Sequence, residues 1–348
     1  MLMLYRFSHI TVLICFSISF YSCSNDAPKI EPLPISVKNN FNLLQKDPQF
    51  VLYINFKSMN KTPFWKANVS DSLLNAERTF GSLLNTFKVA TGASISEGLD
   101  ELYYSNSWQG ENSIVLKGIF DRKKLNDYLA NDSNFSRTPA KNGTQVYINN
   151  NNRLHFFFKD NFTICASNYM TIIDEMSVVN DTSKTGLLEN KEMITAIEKI
   201  YNKENLWMVS KEQMFIRGIF VNFLESKLEN DANRENKEVD SNKVTIENIY
   251  SKISSVAFSA KMDKDLNFYI QTDFTNGETA VFFKTYVTGL LSLSKIAATV
   301  KGNQKSPADK ILEYTKVESY DNTVMIIMNI NNNNINDFRK STIITKPD

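Results

Sequence analysis

From Phe50 onward the chain alternates short runs of β-branched and aromatic residues with longer stretches whose apolar positions recur every three to four residues. Phe50 to Phe56 is a run of the first kind, bounded by Asp47-Pro48 and Lys57-Ser58, and it predicts a strand. Leu73, Leu74, Phe80, Leu83, Leu84 and Phe87 follow helical spacing behind Ser70 and predict a helix ending near Gly92. Two strands are expected over Leu102 to Trp108 and Ser113 to Phe120, around a turn at Gln109 to Asn112. Asp121 caps a helix reaching Ala130, three strands fill Thr144 to Ser167, and helices fit Tyr169 to Val178 and Leu187 to Tyr201. Leu206 to Ser210 predicts a strand and Gln213 to Leu228 an amphipathic helix.

The pattern breaks at Glu229 to Lys243, a polar stretch with no apolar stripe that reads as a solvated linker. Beyond it, Ser255 to Lys261 and Leu266 to Phe274 form a hairpin across Asp263-Lys264-Asp265. A long helix carries Phe283, Tyr286, Val287, Leu290, Leu293 and Ala297 on one face. Strands at Ile311 to Val317 and Val324 to Ile330 and a short helix at Ile335 to Arg339 complete the chain. The order strand, strand, helix, strand, strand, helix thus occurs twice, over about 100–176 and about 254–340. Hairpins joined by single helices point to an α+β fold, with antiparallel sheets, helices packed on one face, and two strand-strand-helix lobes of similar topology. The expected divisions are 1–22, 23–46, 47–228, 229–243 and 244–348: leader, tether, N-terminal lobe, linker and C-terminal lobe.

The leader rests on Arg6, an apolar stretch from Ile10 to Phe20, and the small Ser22 before Cys23. The apolar stretch is too short to span a bilayer of roughly 30 Å as a stable helix, which fits a signal peptide. Ser22-Cys23 resembles the lipobox of bacterial lipoproteins, although Phe20 and Tyr21 are bulkier than that pattern. The resemblance implies cleavage before Cys23 and acyl chains, such as palmitate, on that cysteine. Ser24 to Pro34, with three prolines, reads as the tether such a protein needs. In the resembling proteins Asp after the cysteine marks inner-membrane retention; Ser24 stands there instead, so the outer membrane of the cell envelope is the expected site. The mature part is similar, without any specific motif, to uncharacterised secreted bacterial proteins, which implies no activity.

Charge narrows the partners further. The chain has 39 basic and 38 acidic residues, and loss of Arg6 with the leader balances the body, so nothing in it attracts nucleic acid. Cys165 is the one thiol beyond Cys23, which excludes a disulfide framework within the body. His155 is the one histidine there, which excludes sites needing several imidazoles. His155 falls opposite Cys165 if the intervening turn is Lys159-Asp160-Asn161, and on the other face if it is Asp160-Asn161.

Other short motifs fail on context. Ser58-Met59-Asn60-Lys61, Tyr104-Ser105-Asn106 and Lys184-Thr185-Gly186 resemble, in chain order, the three elements of penicillin-binding proteins and serine β-lactamases. Thr62-Pro63 follows Lys61 where that family needs a continuing helix, and Lys184-Thr185-Gly186 sits in a polar stretch, so coincidence is the better account. Asp263-Lys264-Asp265-Leu266-Asn267 mimics a calcium loop but has Phe268 where glycine is needed and Phe274 where the bidentate glutamate belongs. Gly92-Ala93-Ser94-Ile95-Ser96 lacks the second glycine of a nucleophile elbow. The Asn-x-Ser/Thr triplets, such as Asn68-Val69-Ser70, reflect the richness of the chain in asparagine.

The expected protein is therefore a non-enzymatic envelope lipoprotein, bound to the membrane through Cys23 and acting by protein or surface contacts, with no catalytic residue, metal or cofactor. The alternatives are a binding module for a lipid or other apolar ligand beside the helix from Thr279 to Ala298, and, less favoured, a penicillin-recognising acyl-enzyme using Ser58 and Lys61. A stripe such as Phe282, Phe283 and Tyr286 is expected to be core.

Overall fold

The computed structural model describes residues 27–68, 98–180, 182–218, 246–300 and 306–344. The segment predicted as a helix over 70–92, most of that over 213–228, and the linker at 229–243 lie outside the described residues; residues 213–218 are helical.

In chain order, α1 (Ile35–Lys38) runs into a 3₁₀ turn (Asn39–Leu43), then β1 (Phe50–Asn55), α2 (Phe56–Met59) and α3 (Pro63–Asn68). The first repeat of the topology follows: β2 (Leu99–Asn106), β3 (Asn112–Gly118), α4 (Arg122–Asn131), β4 (Phe135–Pro139), β5 (Gln145–Asn149), β6 (Leu154–Phe158), β7 (Thr163–Ser167) and α5 (Met170–Val178). A 3₁₀ turn (Gly186–Glu189) and α6 (Lys191–Glu198) lead to β8 (Leu206–Ser210). The second repeat is β9 (Ile253–Met262), β10 (Leu266–Phe274), α7 (Gly277–Val300), α8 (Pro307–Tyr314), β11 (Lys316–Tyr320), β12 (Thr323–Ile330) and α9 (Asn332–Ile344).

The fold is α+β, and among the described residues the strands form a single 12-stranded sheet in the order β11-β12-β10-β9-β8-β1-β2-β3-β7-β6-β5-β4. Each neighbouring pair is antiparallel. In each repeat a hairpin is followed by helix and then by further antiparallel strands, the four-stranded meander β4–β7 in the first and the hairpin β11–β12 in the second, whose last strand returns beside the first hairpin: β7 pairs with β3, and β12 with β10. The two repeats extend in opposite directions from the central pair β1 and β8. Both outer strands are five residues long, β4 ending in Pro139 and β11 starting at Lys316. Short edges with proline and charge discourage pairing with a further strand.

Strand alternation places Val51 and Tyr53 of β1 on one face and Ile54 on the other, and all three are buried. On the first face a cross-strand row runs Trp207, Tyr53, Tyr103, Val115, Cys165, Phe157. This row is roofed by Val37, Phe41 and Leu44, by Ile173 and Met176 of α5, and by Ile197 of α6. On the second face Leu102, Ile114, Leu116 and Ile164 pack with Phe56, Met59 and Trp65 and with Leu125 and Leu129 of α4. α7 lies on that same second face, where Ala280, Phe283 and Val287 meet Val256, Phe274 and Val324. The helix inside each repeat therefore covers the same side of the sheet, while α5, α6 and the N-terminal segment form a layer opposite.

Several elements differ from the sequence expectation, each for a local reason. Residues 311–314 are helical, because Ser306 and Asp309 form a reciprocal capping box with Pro307 at the first position, and the strand begins only at Lys316. β4 is an added edge strand paired with β5. Asn190 breaks the helix expected from Leu187 to Tyr201 by accepting from Met193 N–H as a new N-cap. Asn55 ends β1 by accepting from Ser58 N–H, so Phe56 opens α2.

The tether is also shorter than the span 23–46. Val37, Phe41, Leu43 and Leu44 are buried in the first-face core, each contributing roughly 2 kcal/mol of transfer free energy. Upstream of them, Glu31 fastens the chain. Its N–H donates to the Tyr201 carbonyl at 3.3 Å, and its carboxylate accepts from Lys203 N–H at 2.7 Å. Lys203 is itself buried, and its ammonium donates to the carbonyls of Glu31 (2.6 Å), Glu198 (3.0 Å) and Ile200. It thus satisfies the C-terminal end of α6 and the N-terminal segment together. Burial pulls the Lys203 ammonium down to about 8, against the attraction of Glu31 and Glu198.

Two outcomes follow from this lysine. Lys203→Ala should lower unfolding stability by about 2 kcal/mol in denaturant titration, because three carbonyls lose their charged donor. Its depressed folded value means that the native state binds fewer protons than the unfolded one between about pH 8 and the ordinary lysine value. The wild type should therefore gain stability with rising pH across that window relative to Lys203→Ala, and the two should run parallel below pH 8.

Candidate functional site

A cleft of about 460 Å³ opens on the first face between the segment Asn42 to Lys46, α5 and the loop 183–189. Its wall is mainly aliphatic, from Leu43, Leu44, Ile172, Met176 and Val179. Side chains tie the two loops together. Asn42 Nδ2 donates to the carbonyls of Asn180 (3.1 Å) and Ser183 (3.4 Å), and Asn190 Nδ2 donates to the Lys46 carbonyl at 3.1 Å. Lys46 and Glu189 form an exposed ion pair at 2.9 Å across the mouth.

Gly186 fixes how closely the loops approach. Its φ is +60°, Leu187 N–H donates to the Leu44 carbonyl at 3.1 Å, and a Cβ on Gly186 would lie 2.3 Å from that carbonyl oxygen. Only glycine takes this left-handed conformation at such a distance without strain.

Gln45, which lines the cleft, is held to β2: its N–H donates to Ser105 Oγ at 3.2 Å, and the Ser105 hydroxyl donates to Gln45 Oε1 at 3.4 Å. Ser105 is fully buried on β2. Gln45 Nε2 is buried and has no hydrogen-bond partner among the described residues. A buried donor left unmade costs about 1–3 kcal/mol.

The residues singled out in the sequence do not converge on this cleft or on one another. β6 and β7 are joined by a turn over residues 160–162, with Lys159 N–H donating to the Thr163 carbonyl at 3.0 Å. That register sets His155 opposite Ser167 and Phe157 opposite Cys165, so neither expected turn forms. The two side chains share a face but are offset along the strands. Cys165 is wholly buried and its thiol is pushed up to about 12 by that burial, so it holds its proton at neutral pH. Burial lowers the His155 value, and His155 Nδ1 has no partner among the described residues.

The penicillin-binding elements are likewise dispersed. Ser58 Oγ donates to the Asn55 carbonyl at 3.1 Å and accepts from Asn205 Nδ2 at 2.7 Å, while Lys61 is exposed. Ser105 pairs with Val51 at the far end of β1 from Asn55, roughly 13 Å along the strand. α2 packs on the second face, whereas Lys184-Thr185-Gly186 borders the cleft on the first. Asp263 to Asp265 is the β9–β10 turn, with Asp263 N–H donating to the Asp265 carbonyl at 3.0 Å. Cys23 and Gly92 to Ser96 lie outside the described residues.

The long helix α7 buries Phe283 in the second-face core, and Phe282 and Tyr286 pack partly against it. Its outward side exposes Val281, Leu293 and Ile296. Among the described residues no helix is long and apolar enough to cross a membrane, and no group of His, Cys, Asp and Glu is placed to hold a metal ion. The cleft itself left little trace in the sequence, since its parts come from residues 42–46, 172–179 and 183–189. Gly186 after a polar stretch is the one local signal.

Gly186→Ala should destabilise the protein by about 2–4 kcal/mol in chemical denaturation, through the unfavourable φ and the carbonyl clash. Cys165 should resist a soluble thiol reagent at pH 7.5 in the native state and react only on unfolding; rapid native labelling would contradict its burial.

No protein-family pattern and no curated protein matches the chain. Among solved structures it is similar to crystal forms III, IV and I of TP0453, with TM-scores of 0.47, 0.45 and 0.44 and sequence identities of 7%, 7% and 8%. The aligned regions cover 90%, 91% and 90% of this chain and 97%, 98% and 98% of the other.

Proposed function

We propose that this chain is a lipoprotein of the bacterial cell envelope, held to the outer membrane by acyl chains on Cys23, that acts by contact and binding and not by catalysis. The observation that carries the reading is the apolar leader ending in Ser22-Cys23, followed within a few residues by a segment fastened to the body at Glu31. Residues 24–30 span at most roughly 25 Å when extended, so the acyl chains would keep the folded body beside the bilayer. The buried, protonated Cys165 and the dispersed Ser58 and Lys61 offer no activated nucleophile, which favours binding over turnover.

Support for the apolar-ligand alternative comes from the cleft and not from α7, whose inward residues Ala280, Phe283 and Val287 are themselves buried in packed core. Its wall is aliphatic and its volume lies within the usual range of small-molecule sites.

Metabolic labelling with a clickable palmitate analogue tests the anchor. The wild type should incorporate label, carry an N-terminus at Cys23 and sediment with membranes, and Cys23→Ala should lose all three properties. Unlabelled wild-type protein, or a Cys23→Ala variant equally membrane-bound, would overturn the proposal.

A further inference from the structure

The outward side of α7 is unlike the exposed side of an ordinary surface helix. α7 carries three charged residues, Glu278, Lys284 and Lys295. Lys284 and Lys295 are half-buried on its flanks, Lys295 Nζ donating to the Thr315 carbonyl at 3.1 Å, so after Glu278 none of its described exposed residues is charged. Val281, Leu293 and Ile296 are instead 57%, 62% and 63% exposed. The hydroxyls along the same side are engaged within the helix: Thr285, Ser292 and Thr299 donate to the carbonyls of Val281 (2.9 Å), Thr288 (2.8 Å) and Lys295 (2.8 Å). A helix face that meets water normally carries charge, so this one has the character of a surface that packs.

Gly289 indicates what packs there. It is one of the two central residues of Gly277–Val300 and is exposed. Glycine inside a helix is destabilising relative to alanine. The packing of the chain itself does not explain it, since Gly289 has no left-handed φ and no described atom lies within 4 Å of where its Cβ would stand. A second helix crossing at that point would use the missing side chain, because its backbone could come close. A lipid surface gains nothing from it.

The residues on either side of Gly289 match a second α7 laid antiparallel. With Thr288 of one copy opposite Gly289 of the other, Thr285 meets Ser292 and Val281 meets Ile296, each pair formed twice about a two-fold axis. Small residues then meet at the centre and apolar ones at both ends. A parallel pair would set Glu278 against Glu278 and point both helix dipoles the same way. The strip from Val281 to Thr299 is roughly 27 Å long and about 10 Å wide. That is well below the roughly 800 Å² per partner of a standard interface, so the pairing is weak and suits copies gathered on one membrane.

We propose that α7 is a self-association surface, along which two copies of this chain pair antiparallel and cross at Thr288-Gly289. This goes beyond the binding reading above and depends neither on the cleft nor on acylation at Cys23; a shared membrane only raises the encounter frequency.

The test is single-cysteine crosslinking of the full chain in intact cells, with copper-phenanthroline as oxidant and peptide mass spectrometry to locate the bond. Cys165 is buried, so the wild type gives the background. Thr288→Cys should give at least tenfold more disulfide dimer than Val281→Cys or Ile296→Cys alone, whose like positions lie about 22 Å apart in the antiparallel register. Co-expressed Val281→Cys and Ile296→Cys chains should restore the dimer as a mixed bond between the two positions. Gly289→Leu, added to Thr288→Cys, should cut the dimer at least tenfold while the thermal melt is unchanged or rises, because the new side chain starts into open space. Dimer through Val281→Cys or Ile296→Cys alone as abundant as through Thr288→Cys would indicate a parallel pair or chance collisions of a lipid-facing helix, and would overturn the proposal. So would Thr288→Cys dimer that survives Gly289→Leu, or none above the wild type.

Discussion

The antiparallel pairing of β1 with β8 is the constraint on which the rest of the structure depends. Each repeat of the topology begins beside one of these strands, and their ladder, with Val51 opposite Val209 and Tyr53 opposite Trp207, joins the two repeats into one sheet. Val51, Tyr53, Trp207 and Val209 are buried on the first face and Ile54 on the second, so the register is fixed from two directions. A slip by one residue would drive Tyr53 and Trp207 away from Phe41 and into the opposite core. The shared ladder also removes two edges that the separate units would otherwise leave unpaired.

Around that ladder the buried polar groups act as fasteners. Glu101 accepts from the hydroxyls of Tyr53 (3.0 Å) and Tyr103 (2.8 Å), and Asn40 Nδ2 donates to the Tyr103 oxygen at 3.1 Å, locking the N-terminal roof to the central strands. Burial, reinforced by Glu101, pushes both phenols well above their ordinary value, so they remain donors at physiological pH. In the second repeat Asp273 is buried and accepts from Ser255 (2.7 Å) and Thr323 (2.6 Å), while Gln271 Nε2 donates to the Lys199 carbonyl at 3.1 Å. These contacts hold the connection after α6 against the sheet and, through Lys203, the point at which the chain arrives from Cys23. Among the described residues the exceptions are Gln45 Nε2, Asn106 Oδ1, His155 Nδ1 and, on the ladder itself, Trp207 Nε1, which are buried without a partner.

The strands were the most legible part of the sequence. Leu206 to Ser210 and Leu266 to Phe274 stand where their β-branched and aromatic runs end at turn residues, and Asp121 caps its helix as expected. Misreadings came where a side chain overrode the run it interrupts: Asn190 recaps α6, Asn55 cuts β1 short, and the capping box at Ser306 turns Ile311 into helix. Segment 35–44 was hidden for another reason. It follows Pro28, Pro32 and Pro34 and is interrupted by Lys38, Asn39, Asn40 and Asn42, so it looks like a continuation of the linker, and Val37, Phe41 and Leu44 reveal their purpose only against Trp207 and α6. The cleft was not legible because its walls are assembled by tertiary contact between distant segments, with Gly186 needed by a carbonyl that lies more than 140 positions earlier in the chain. The His155 and Cys165 relation failed on a turn of 160–162, which no local residue preference announced.

The described part of the protein presents a 12-stranded sheet, a small cleft and the outer side of α7. Rigidity at the centre is what gives the loops 42–46 and 183–189 a fixed separation, so the central ladder is where the account is most exposed. Native-state hydrogen exchange followed by mass spectrometry reads it directly. Peptides covering Val51 to Ile54 and Leu206 to Val209 should be the slowest in the protein and should open together, at the free energy of global unfolding. Exchange of the two repeats as independent units, with β1 and β8 opening before either, would contradict it.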